Sequence, residues 1–351
     1  MKRKIIRTIE SLVFIILFII SFDKLSFITK VYGIREDDVR NLAFSYVLPK
    51  NSVDVVFLGD SHVFTTYINE DIFNETGIRS TTVASSMGSI VNCYWELKEF
   101  FSRQKNVKYV VMDIQTFRNT LCDSEFKEKP LSIVSSFPNM PELSIYKWAC
   151  YFDIKVNKYG ASEKINLFDV IGLLQYRDDL DRNYNANNLF NLLFNPSKEY
   201  KNIGYIPLGA SNTMSMSNKK IMNEGMYIDF FQTIEYDYLE KIKKLCDKHN
   251  CKLIFTNTPY FENDEIEDRG IKPQMISWCK KNNIQYLDYY DNKDEIGLDL
   301  DTDFMDCNHF NYNGAVKTTK YFSQYLVKID YFVGRRNDKK VIPWFLENIG
   351  Y

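Results

Sequence analysis

The strongest constraint on how this chain folds is an alternation of short β-branched runs with longer amphipathic stretches. Val53-Asp-Val-Val-Phe-Leu58 is a short apolar run of the kind that fills a buried strand. Ile68 to Thr76 has helical character and stops at Gly77, a natural C-terminal cap. Ser80 to Ala84 reads as a second strand, Ile90 to Arg103 as an amphipathic helix, and Val107 to Asp113 as a third strand. Strands separated by helices at this spacing predict a parallel sheet with helices packed on it.

The same rhythm returns late in the chain. Phe231 to His249 is a predicted helix, Cys251 to Thr256 a strand, Lys272 to Asn282 a helix, Ile284 to Tyr289 a strand, and Asn313 to Ile329 a closing helix. Between the halves, over 120–225, the pattern decays into Asn-, Tyr- and Ser-rich sequence, which reads as an insertion or lid. The start is different again. Lys2, Arg3, Lys4 and Arg7 precede an uncharged apolar core from Ser11 to Phe22, the pattern of an export signal or a single membrane anchor. No small-residue cleavage site follows, which favours an uncleaved anchor with the remaining chain outside the cell. The expected organisation is an anchor over 1–29, a connecting stretch over 30–50, an extracytoplasmic domain over 51–330 and a tail over 331–351.

Composition removes several function classes. Lys plus Arg number 44 against 46 Asp plus Glu, and this balance argues against a nucleic-acid binder. The seven cysteines form no C-x-x-C pair and read as buried thiols rather than a disulfide scaffold. Three histidines with no ligand cluster give no reason to expect a metal site, and no cofactor is called for.

Two short blocks carry chemistry. In the first, a strand runs into Gly59-Asp60-Ser61-His62, which sets a Ser at the carboxyl edge of a parallel sheet, where open α/β folds gather their sites. An ordinary turn would use the same residues. In the second, Asp306-Cys307-Asn308-His309 precedes the closing helix. Asp and His three apart let the carboxylate hold one imidazole nitrogen while the other faces a nucleophile. His249, at a helix end, reads as a solvated residue. Ser61, His309 and Asp306 are therefore the candidate nucleophile, base and orienter.

These blocks resemble the SGNH (GDSL-like) hydrolase superfamily, which carries an early Gly-Asp-Ser and a late Asp-x-x-His. More narrowly the chain is similar to its membrane-anchored group, which includes the D-alanyl-lipoteichoic acid transfer protein and the alginate and peptidoglycan O-acetyltransferases. The late run from Asp306 to Gly314 matches the form seen there. The resemblance spans about 50–120 and 230–330 and implies a flavodoxin-like three-layer α/β/α fold. It also implies an extracytoplasmic serine O-acyltransferase acting on a cell-envelope polysaccharide beside a multi-spanning membrane acyltransferase. A carbohydrate acetylesterase with the same triad and a weakly catalytic scaffold are the alternatives. The superfamily's Gly-x-Asn-Asp block is absent. Ser86 and Gly88 in Ala84-Ser-Ser-Met-Gly88, and Gln115 and Asn119 after the third strand, are the candidates for oxyanion or substrate contacts. His62 is a candidate for the entrance or for substrate contact.

Overall fold

The computed structural model describes residues 2–33, 48–118, 140–157, 164–175, 205, 227–259, 270–307 and 309–329. Strands β1 (Val55–Gly59), β2 (Ser80–Ala84), β3 (Tyr109–Asp113), β4 (Lys252–Asn257) and β5 (Gln285–Asp288) form one sheet in the order β2-β1-β3-β4-β5. Every pairing is parallel. This is the flavodoxin-like doubly wound order, whose switch point lies between β1 and β3.

Side chains alternate across the strands, so each strand feeds two cores. Val56, Leu58, Val110, Met112, Leu253 and Phe255 face one core; Val55, Phe57, Val111 and Ile254 face the other. The first face is covered by the helices that follow β2, β3 and β4. These are α4 (Ile90–Arg103), α5 (Ile145–Val156), α8 (Ile234–Lys248) and α9 (Ile271–Lys281). The second is covered by α2 (Ser61–Thr66), α3 (Asn69–Thr76) and the closing helix α11 (Tyr312–Ile329). With both faces covered, the strands are buried almost throughout, as parallel sheets require.

The predicted strands and long helices lie within a few residues of their expected ends. Two elements depart from expectation. α2 is a single short helix between β1 and α3 that the sequence pattern did not signal. α5 falls inside the stretch read as unpatterned, and it packs along α4, with Trp95 Nε1 donating to Asp153 at 2.8 Å. Its start is fixed by a buried pair, Lys147 Nζ to Glu142 at 2.8 Å. Glu142 also accepts the Gly172 N–H at 3.0 Å, which fastens the short helices α6 (Leu167–Val170) and α7 (Gly172–Gln175). Asn119 and most of the remaining 120–225 stretch lie outside the described residues.

The N-terminal helix α1 runs over Lys2–Gly33, longer than the expected anchor of 1–29 and into the stretch read as a connection. Its segment Arg3–Asp23 is long and apolar enough to cross a membrane. Past it α1 lies against α7, and Ser26 is buried.

One contact keys the two ends of the domain together. Thr319 on α11 accepts the Ile68 N–H at 3.0 Å and donates to the Thr66 carbonyl at 3.1 Å, in the turn between α2 and α3.

Candidate active site

β1 ends at Gly59 because nothing larger fits. A Cβ there would lie 2.5 Å from Val63 Cγ2 and 2.9 Å from Thr116 Oγ1. The chain then turns through Asp60, whose side chain caps α2 by accepting the His62 N–H at 3.0 Å. Ser61 is thus the first residue of α2. Its N–H has no carbonyl one turn back to bond, which leaves it as a donor at the sheet edge.

The second block is a tight loop folded back on itself. Phe304 and Phe310 pair across it, and the Met305 N–H donates to the His309 carbonyl at 2.9 Å. Asn311 accepts from the Asn313 and Gly314 N–H groups at 3.0 and 3.2 Å, capping α11. Gly314 is needed for this closure, since a Cβ would lie 2.2 Å from the Asp303 carbonyl oxygen.

These two blocks meet. His309 Nε2 lies 2.8 Å from Ser61 Oγ. On its other side Nδ1 lies 3.0 and 2.9 Å from the two oxygens of Asp306, and the His309 backbone N–H reaches Asp306 Oδ1 at 2.8 Å. A carboxylate at Nδ1 holds the proton there and leaves Nε2 to accept one from the serine. Asp306 is 42% exposed and His309 20%. The orienting carboxylate is therefore partly open to solvent.

Beneath the triad lies a buried polar layer. His62 is fully buried, not at an entrance, and its Nδ1 lies 3.0 Å from Asp60 Oδ1. Burial would raise the Asp60 carboxyl, but the His62 charge and hydrogen bonds, with Arg118, hold it below its ordinary value. Asp113, at the end of β3, is pushed up to about 6 by burial, tempered by His62, Thr258 and the Gln115 N–H. Its oxygens accept from Thr256, Thr258 and that N–H.

The other candidates are placed less directly. Gln115 is buried and turned towards β4, donating to Asn257 Oδ1 at 3.1 Å. The Gly88 N–H donates to the Ser85 carbonyl at 2.9 Å, so that group is already engaged. Ser86 is half-buried in the same turn, and Met87, the residue between them, has φ 56° and an exposed side chain. Asn119 is outside the described residues. His249 is not simply solvated: its ring stacks on Phe101 with centroids 4.1 Å apart.

No family model matches the sequence, and no curated protein matches it. Among solved structures, a crystal structure of a Bacteroides fragilis protein provisionally described as an acylhydrolase is similar at 12% identity and a TM-score of 0.39. That alignment covers 83% of this chain and 95% of the other. A likeness this remote bears on neither activity nor substrate.

Proposed function

We propose that this chain is a cell-surface serine O-acyltransferase, which moves an acyl group, acetyl in our reading, onto a cell-envelope polysaccharide by way of Ser61. The observation that carries the reading is the 2.8 Å contact of Ser61 Oγ with a His309 ring held at its far nitrogen by Asp306.

In the first half-reaction Ser61 Oγ attacks the acyl carbonyl and passes its proton to His309 Nε2. The tetrahedral oxyanion faces the Ser61 N–H. The leaving group departs with the proton from His309, and an ester remains on Ser61. In the second half a sugar hydroxyl attacks that ester, His309 takes its proton and returns it to Ser61 Oγ. Water in place of the sugar gives hydrolysis, so transfer depends on an acceptor positioned well enough to exclude it. Asp306 keeps the Nδ1 proton in place throughout and stabilises the imidazolium.

The basic start and apolar span of α1 support a single-pass anchor with the domain outside the cell. A multi-spanning membrane acyltransferase is the proposed source of acyl groups, by resemblance to the membrane-anchored group named above. The test is the O-acetyl content of surface polysaccharide in cells carrying wild type or Ser61→Ala. Loss of acetyl groups in the variant is the expected result. A gain would make the protein an esterase with the same triad, and no change would overturn the acetyl-transfer reading.

A further inference from the structure

The site holds two Asp–His pairs built in the same way. In each, one carboxylate oxygen accepts both the backbone N–H and the ring Nδ1 of its histidine. For Asp306 and His309 the distances are 2.8 and 3.0 Å; for Asp60 and His62 they are 3.0 and 3.0 Å. The two rings stack, with centroids 5.1 Å apart and planes 29° from parallel. They differ in surroundings. Asp60 and His62 are 1% and 0% exposed, whereas the carboxylate that orients His309 is 42% exposed.

That difference matters mechanically. A partly solvated carboxylate can fix which nitrogen bears the proton, but a contact shared with water restrains the tilt of the ring less than a buried one does. Solvent also weakens its hold on the charge. A fully buried ring, bonded through Nδ1 to a buried carboxylate oxygen that also holds its backbone N–H, is a rigid platform. We infer that His62, anchored by Asp60, is a positioning residue: its ring supports the face of His309 and keeps Nε2 aimed at Ser61. The inference rests on the acyl-Ser61 reading. Asp60 and Asp113 at the strand ends, Arg118 at the close of the 3-10 turn after β3, and His309 with Asp306 from the late loop are the charged or titratable groups around this ring.

Two substitutions separate the platform from simple structural support. His62→Asn keeps a donor where Nδ1 was and so keeps the bond to Asp60, but removes the ring. His62→Phe keeps a ring but removes the Nδ1 bond to the buried Asp60, the costlier change for stability. The readouts are p-nitrophenyl acetate turnover, labelling of Ser61 by a fluorophosphonate, and thermal unfolding, all on the full chain in detergent. Stability should fall in the order wild type, Asn, Phe, while kcat should fall in the order wild type, Phe, Asn. For His62→Asn we expect a kcat loss of about 10–100-fold, the scale of an ångström-size misplacement, with KM within about twofold. Should His62→Phe fail to fold, the kcat loss in a folded His62→Asn carries the test alone. A His62→Asn kcat within about threefold of wild type, or activity that follows the order of stability, overturns the inference. Ser61→Ala is the control. If it abolishes labelling while His62→Asn is unaffected, the triad stands and the platform falls; if wild type neither labels nor turns over, both fall together.

Discussion

Replacing Asp306 by Asn should cost far less than the same change in a triad whose acid is buried. The amide Oδ1 can take the place of the carboxylate oxygen that now receives both the His309 N–H at 2.8 Å and Nδ1 at 3.0 Å. The amide NH2 takes the place of the second oxygen, now 2.9 Å from Nδ1, and must swing away from the Nδ1 proton towards solvent, which a side chain 42% exposed permits. The tautomer is thus retained and the loss is the missing charge. Two unit charges about 4 Å apart are worth about 1 kcal/mol in water and about 4 kcal/mol at the edge of a protein. Partial exposure puts the loss between those limits, at roughly 1.5–3 kcal/mol. At 1.36 kcal/mol per decade this is a slowing of about 10–150-fold. A buried acid, by comparison, costs about 10⁴-fold when it is neutralised. The assay is the rate at which a fluorophosphonate inactivates the full chain in detergent, with p-nitrophenyl acetate turnover alongside. A loss of 10⁴ would refute the argument from solvent exposure. A loss under about threefold would remove Asp306 from the chemistry.

Other outcomes follow from the packing around the same edge. Gly59→Ala should destabilise the fold by about 1–3 kcal/mol, because its methyl would press on Val63 and Thr116; denaturant unfolding measures this, and an unchanged midpoint would contradict the packing. Asp113, raised from 3.8 to about 6, binds a proton in the folded state that the unfolded state has already released between those values. Stability should therefore decline as pH rises through that window, by about 3 kcal/mol for a shift of this size. Asp113→Asn should flatten that decline, and parallel pH–stability curves for the two proteins would refute it.

How much of this was legible beforehand varies along the chain. β1, β3 and β4 were readable because a strand buried on both faces leaves a near-continuous apolar mark, β2 and β5 from their place in the strand–helix rhythm, and α4 because its apolar residues share one face. The two chemical blocks were legible as residue types at a spacing, yet nothing in the sequence brought Ser61 to His309; the sheet did that. α5 was missed for a specific reason. It buries Lys147, Cys150 and Ile154 while exposing Ile145 at 73% and Val156 at 74%, so its hydrophobic pattern points the wrong way. The pairing of Lys147 with Glu142 makes that arrangement tolerable. His62 was misplaced because adjacency to a serine says nothing about depth, and its pairing with Asp60 was not foreseen. His249 was misjudged because its partner Phe101 is distant in sequence.

Thr319 joins the turn after the nucleophile to a helix about 250 residues later, and the site has no base until that clasp closes. In a chain made from the amino end, Ser61 is exposed early while His309 is among the last described residues to emerge. Closing so long a loop is slow, and its entropic cost falls before any reward arrives. Until the late loop docks, the serine is therefore an ordinary hydroxyl. On the proposed reading, docking of the late loop under α11 is itself the arming step, and a product that stops before Asp306 carries Ser61 without its base.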